Sequence, residues 1–346
     1  MTYAERRRRL AAGIAAQDVP ALLVTRAVNV RYLTGLASSN AAVLVRADGT
    51  ATLATDARYL TTARQNCADL EEIVQARDVA AALLGPGAAV EAHDMTVADY
   101  RRLGGDMPAL TGLVEGLRTV KDETEIAALR RACAVTDEAF AQVVSGIAPG
   151  DTEREIARRL EFRMMELGAD QPAFATIVAS GPNGAVPHHA PTDRPVERGD
   201  LITMDFGALC EGYHADMTRT VALGPPAGWQ REIYDLVRQA QRAGRHALRP
   251  GATAHEIDAA ARDLIAGAGH AEHFEHGLGH GVGLEIHELP FLGPDRTGRL
   301  EDRVPITVEP GVYLPGKGGV RIEDTLVTRA DGPELLTLTT KELLVL

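Results

Sequence analysis

GDLITMDFGALCEGYHADMTRTVALG (residues 199–224) holds two strand-like runs, LITMDFGAL and GYHADMTRTVAL, with a turn expected at Cys210 and Glu211. Side chains alternate along a strand, so Ile202, Met204 and Phe206 share one face and Thr203 and Asp205 the other. A hairpin centred between residues 210 and 211 sets Asp205 directly opposite Asp216, with Cβ atoms roughly 4.5–5.5 Å apart. Two like charges that close are destabilising unless a cation or a proton lies between them. A purely structural Asp–Asp pair is the plainer reading. Opposed carboxylates in an apolar hairpin are more often ligands.

A second pair follows the same logic. PITVEPG (305–311) resembles LITMDFG (201–207), and GVRIEDT (319–325) parallels HADMTRT (214–220), so Glu309 matches Asp205 and Glu323 lies close to Asp216 in the alignment. The pattern PGxTxxEI also occurs twice, from Pro149 and from Pro250, each copy opening a helix. Chance similarity between two βα segments is the bland account. The sharper one is a duplicated unit in which each half gives two carboxylates to one central site. One ion rarely takes four carboxylates, whereas two ions sharing bridging carboxylates do.

HGLGHGVGLEIHE (276–288) adds His276, His280 and His287. The spacing of the first two matches that of a zinc-binding helix, but the interspersed glycines make a poor helix, and a Gly-rich strand lets backbone approach a site closely. One of the three is expected to be a ligand, and the others proton or hydrogen-bond donors. SGPNGAVPHHAPTD (180–193) reads as a turn-rich loop delivering His188 and His189, which could equally be an exposed loop with two imidazoles.

The remainder sets the frame. A chain of 346 residues suggests two domains, and 45% apolar with 24% charged residues is ordinary for a globular protein with a sizeable core. The formal charge of −12 argues against general nucleic-acid binding. Cys67, Cys133 and Cys210 form no CxxC pair, which fits a reducing, cytoplasmic setting. The N-terminus reads as an amphipathic helix and not as a signal peptide, and no run is long and apolar enough to span a membrane. ALLVT (21–25), AAVLVRADG (41–49) and ATLATD (51–56) look like strands, and ARYLTTARQ and DVAAALL look helical, so a small α/β domain is expected over residues 1–118. KDETEIAALRRACAVTDEAFAQVVSGI then opens a second domain, 119–346, with a long helix capped by Asp122 and Glu125.

These stretches, with EHGLGHGVGLEIHELP, ITVEPGVYLPGKGGVRIEDT, NVRYLTGL and TDARYL, resemble the metal-dependent aminopeptidases of the pita-bread fold, especially Xaa-Pro dipeptidases (prolidases) and Xaa-Pro aminopeptidases. The resemblance implies an α/β (α+β) chain: a creatinase-type N-terminal domain, then a pita-bread domain with a pseudo-twofold repeat. It implies Asp205, Asp216, His280, Glu309 and Glu323 as ligands of two divalent ions, with Mn expected and Co, Zn or Fe as substitutes. Asp216 and Glu323 would bridge the ions, and a metal-bridging hydroxide would be the nucleophile. Glu309 would shuttle its proton, His287 would stabilise the oxyanion, and His276 would line the proline pocket. His188 would meet the substrate, with His189 a one-residue alternative, and Arg321 would face the substrate or support the ligands. The implied substrate is a small peptide with proline second, foremost an Xaa-Pro dipeptide, hydrolysed by a homodimer that binds neither nucleic acid nor membrane. The alternatives are an Xaa-Pro aminopeptidase acting on longer peptides, a methionine aminopeptidase, which usually lacks the N-terminal domain, a creatine amidinohydrolase, which does not keep the metal set, and a non-catalytic binding protein of this fold.

Overall fold

The computed structural model describes all 346 residues and separates into two compact units, Met1–Arg118 and Thr119–Leu346. In the first, the β-branched and alanine-rich runs form a six-stranded mixed sheet. Its central strand, Ala21–Val24, pairs antiparallel with Ala41–Arg46 and parallel with Ala89–Glu91. Thr2 and Glu5 cap the N-terminal helix, Tyr3–Ala15, reciprocally. No helix in the chain is long and apolar enough to cross a membrane.

The second unit is α+β with antiparallel sheets. Helix Glu123–Val144 begins at a capping box formed by Asp122 and Glu125. The duplicated PGxTxxEI motif proves to be a pair of identical helix starts. Thr152 caps Glu153–Glu166 with Glu155 reaching back, and Thr253 caps Ala254–Gly267 with Glu256 doing the same. The isoleucine that closes each motif, Ile156 or Ile257, is fully buried. The amphipathic helices Gly228–Ala247 and Ala254–Gly267 bury Ile233, Val237, Ile257 and Ile265 in one core with Ile306, Val308, Ile322 and Leu326.

Two sheets carry the carboxylates. One holds Ile177–Ser180, Leu201–Phe206 and Met217–Ala222; the other runs from Glu288–Leu292 through Gly279–Gly281 and Pro305–Val308 to Asp324–Val327 and Glu334–Leu335. They join where the Glu323 N–H donates to the Thr218 carbonyl at 3.1 Å, Thr325 Oγ1 to the Asp216 carbonyl at 2.8 Å, and Thr220 Oγ1 to the Arg321 carbonyl at 3.0 Å. These antiparallel contacts are symmetric about a line between Thr218 and Glu323. The local twofold therefore equates Asp216 with Arg321 and Thr218 with Glu323, and the four carboxylates are not two symmetric copies of one pair.

The hairpin register differs from the expected one by one residue at the turn. Asp205 pairs with Thr218, not Asp216, because the turn residues are Glu211 and Gly212, both with positive φ (52° and 83°). This is the geometry of a two-residue type I′ turn, one residue later than anticipated. Asp216 lies in a break between the short strand Tyr213–His214 and Met217–Ala222. Gly207 permits that break: a Cβ on it would lie 1.8 Å from the Ala215 carbonyl oxygen. Glu309 and Glu323, by contrast, do oppose one another, one step beyond the pair Val308 and Asp324.

Candidate metal centre

Each predicted ligand reaches the same cleft by a different route. Asp205 projects from the polar face of Leu201–Phe206, Asp216 from the chain break, and His280 from the middle of the short strand Gly279–Gly281. Glu309 and Glu323 come from the ends of Pro305–Val308 and Asp324–Val327. Asp216, His280 and Glu323 each offer an atom within 4.8 Å of the other two. His280 Nε2 stands 3.5 Å from Asp216 Oδ2 and 3.5 Å from Glu309 Oε1. Its Nδ1 is 3.0 Å from the Gly281 carbonyl oxygen and carries the ring hydrogen, which leaves the Nε2 lone pair facing the carboxylates.

Arg321 organises the rest. It is 3% exposed. Its Nη2 donates to Asp205 Oδ2 at 2.7 Å, Nη1 to the Tyr313 hydroxyl at 2.9 Å and to the Pro187 carbonyl at 3.2 Å, and Nε to Thr218 Oγ1 at 3.1 Å. Thr218 Oγ1 in turn donates to Glu323 Oε2 at 2.7 Å. His276 Nδ1 meets the Gly277 carbonyl at 2.9 Å, so Nε2 accepts from the Tyr313 hydroxyl, also at 2.9 Å. The Gly-rich segment is thus only partly a strand: His276 lies before it and is tied to Tyr313 instead of sharing a strand face with His280.

The electrostatics are those of negative charge held out of water. Burial, then the repulsion of Asp205 and Glu309, raises the Asp216 carboxyl well above its ordinary range. Burial followed by Asp216 and Asp205 does the same to Glu323, and burial with Glu323 lifts Glu309 to about 8. Asp205 Oδ1 and Glu323 Oε1 are buried with no hydrogen-bond partner. A buried carboxylate oxygen without a donor is costly, and one guanidinium cannot balance four carboxylates. Two divalent cations fit this donor set: they would fill the orphaned oxygens and offset the residual charge, and an oxygen-rich shell with one imidazole suits hard or borderline ions.

The cleft encloses about 980 Å³, and His188, His276, His287 and Arg321 line it together with the five acidic and imidazole side chains. The His287 ring sits edge-on to His280 with centroids 4.5 Å apart. Partial burial, then His280 and His188, hold the His287 imidazole below its usual value, while burial and Arg321 push His276 down to about 4. Glu288, the residue after His287, is pinned inward by Lys121, whose Nζ donates to it at 2.7 Å. His189 also lines the cleft, but its Nε2 is held 2.8 Å from Glu153 Oε2, so the exposed histidine of the doubled pair is His188.

Residues 127–330 match Metallopeptidase family M24, and residues 6–120 match the Creatinase/Prolidase N-terminal domain. The chain belongs to metallopeptidase family M24. It is 44% identical over 232 residues to the Xaa-Pro dipeptidase of Pyrococcus horikoshii, an alignment that covers 67% of this chain and 66% of that protein. The solved Xaa-Pro dipeptidase from Bacillus anthracis superposes with a TM-score of 0.96 at 36% identity, covering 100% of both chains. The X-Pro aminopeptidase from Thermotoga maritima gives 0.88 at 36% identity, covering 95% of this chain and 98% of that one. The M24 peptidase is therefore an enzyme with the pita-bread catalytic fold, preceded along the chain by a creatinase-type domain.

Sequence reasoning missed Thr218, Tyr313, Glu153 and the Lys121–Glu288 pair. Thr218 and Tyr313 left no signal, because a hydroxyl in a strand is commonplace. Glu153 left a faint one: the twin motif has Ala254 at the same place, so a charge replaces an apolar residue just inside one helix start.

Proposed function

We propose that this peptidase hydrolyses the bond between an N-terminal residue and proline, with Xaa-Pro dipeptides as its substrates. The observation that carries the reading is the convergence of Asp205, Asp216, His280, Glu309 and Glu323 on one cleft that His188, His276 and His287 also line. The relatives' names supply the substrate class. Bound divalent ions, with Mn favoured, would supply Lewis acidity and a water acidic enough to attack a carbonyl at neutral pH. Asp205, Asp216, His280, Glu309 and Glu323 would hold them.

The chain's own groups do the rest. Arg321 fixes Asp205, and Thr218 fixes one oxygen of Glu323, so neither carboxylate must reorganise during turnover. Glu309 takes a proton from the attacking water and returns it to the leaving proline nitrogen. His287, exposed beside His280, donates to the carbonyl oxygen as it gains charge. At the rim, the exposed Arg296 guanidinium lies over the Phe291 ring, 5.5 Å from its centroid, and is available to the free carboxylate of a dipeptide.

Metal analysis with rates on Ala-Pro, Met-Pro and an Xaa-Pro tripeptide tests the reading. Both dipeptides should be cleaved in the presence of Mn and the tripeptide slowly. Comparable tripeptide cleavage would favour the aminopeptidase alternative, which the likeness to the Thermotoga enzyme keeps in view. No bound metal and no cleavage with added Mn would sink the proposal. Arg296→Ala should raise KM for the dipeptides more than for the tripeptide. Homodimeric assembly belongs to the same reading, and light scattering on the purified protein checks it.

A further inference from the structure

Glu153 begins the helix Glu153–Glu166 and its side chain is fully buried. Both oxygens are filled. Oε1 accepts from the Ser180 N–H at 2.8 Å, Ser180 Oγ at 2.8 Å and Asn183 Nδ2 at 2.9 Å. Oε2 accepts from His189 Nε2 at 2.8 Å, the Thr192 N–H at 3.0 Å and Thr192 Oγ1 at 2.7 Å. The first three donors open the turn-rich loop and the last three close it. Burial alone would raise this carboxyl; the bonds from Thr192, Asn183, His189 and Ser180 outweigh it and hold it down to about 2. Glu153 is therefore an acceptor-only anchor for both legs of one loop.

The loop's apex is what enters the cleft. His188 and His189 both line it, but His189 Nε2 is held on Glu153, its side chain 14% exposed, while His188, one residue earlier, is exposed. The preceding Pro187 gives its carbonyl to Arg321, the same guanidinium that holds Asp205. His188 is thus bracketed by a staple below and by the metal-centre scaffold in front. We propose that Glu153 is a positioning residue: by stapling residues 180–192 it aims His188 at the substrate, and it influences the reaction only through that histidine. The proposal rests on the dipeptidase reading of the cleft.

Glu153→Gln keeps the side-chain shape but sets an N–H donor against groups that are themselves donors. The test measures kcat and KM on Ala-Pro, with the full-length metal-loaded protein, for wild type, Glu153→Gln, His188→Ala and the double variant. Glu153→Gln should lower kcat by up to about 100-fold, as displaced catalytic groups do, with KM little changed, and the double variant should be no slower than His188→Ala alone. Losses that multiply, as at independent sites, or an unchanged kcat in Glu153→Gln, overturn the proposal. His189→Gln disturbs only one of the Glu153 bonds and serves if Glu153→Gln does not fold. It must show a smaller loss with the same non-additivity towards His188→Ala, and multiplying losses overturn the proposal there too. A second arm needs no turnover: the His188 ring signal in the NMR spectrum, assigned by its absence from His188→Ala, must shift in Glu153→Gln. If the wild type fails to cleave Ala-Pro, the dipeptidase reading falls and the ring signal alone decides, an unmoved signal counting against the staple.

Discussion

Arg321 bears more of the centre than any other single side chain, since Asp205, Tyr313, Thr218 and the Pro187 carbonyl all take bonds from it. Removing one partner of a buried ion pair costs about 3–5 kcal/mol, because the other charge is left unpaired. Arg321→Met should therefore lower stability by about 3 kcal/mol in urea unfolding of chelator-treated protein. Added Mn should recover part of that loss, since ions at Asp205 supply positive charge again. A loss unaffected by metal would mean that Arg321 and the metal ligands are not electrostatically linked. The same scale shows what could be read from residues alone. The carboxylates announced themselves because charge in an apolar strand is unusual. Thr218 and Tyr313 did not, and Glu153 did so only faintly, because their importance lies in what they touch.

Among the elements, the twin helix starts are the most legible feature of the chain. A threonine N-cap with glutamate three residues on is a local device, complete within one turn, so PGxTxxEI could be recognised before any tertiary contact was known. Thr253→Ala should destabilise the protein by about 1 kcal/mol, the usual cost of a lost cap, with metal binding unchanged; thermal unfolding and metal titration check both. Strand register was not legible in the same way. The Asp205 hairpin was expected to turn at Cys210 and Glu211, whereas the turn takes Glu211 and Gly212, the pair able to adopt positive φ. That shift moved Asp216 off the strand and into the break beside Gly207. Gly207→Ala should accordingly be far more damaging than an ordinary surface change. Its Cβ would meet the Ala215 carbonyl at 1.8 Å, and separating the chains there displaces Asp216. Loss of metal affinity in protein that retains helical circular dichroism is the expected result, and unchanged affinity would refute the role given to the break.

At the scale of the whole molecule, folding gathers charge that water would otherwise screen. In the chelator-treated protein Glu309 holds its proton up to about 8, and Asp216 and Glu323 are also raised, largely by burial. Between the unfolded value of 4.5 and these folded values, the folded state binds more protons than the unfolded chain, so the carboxylates' contribution to stability falls as pH rises. His276 and His287, both depressed, act in the opposite sense below their ordinary value of 6.5. The clean window therefore starts near neutrality: the melting temperature without metal should drop from pH 7 to about pH 8, and saturating Mn should abolish or reverse the drop because ligands bind metal deprotonated. A melting temperature that rises with pH over that window without metal would contradict the assignment. The sequence by itself determined the two-part layout, the helix caps, the excess of carboxylates and the family resemblance, because capping, alternation and residue chemistry act over a few neighbouring positions. The tertiary structure alone decided that Asp205 faces Thr218, that His189 is held on Glu153 and leaves His188 the exposed histidine of the pair, and that Arg321 joins both halves. Each of these is a contact between residues distant along the chain, fixed by register and packing and not by local preference.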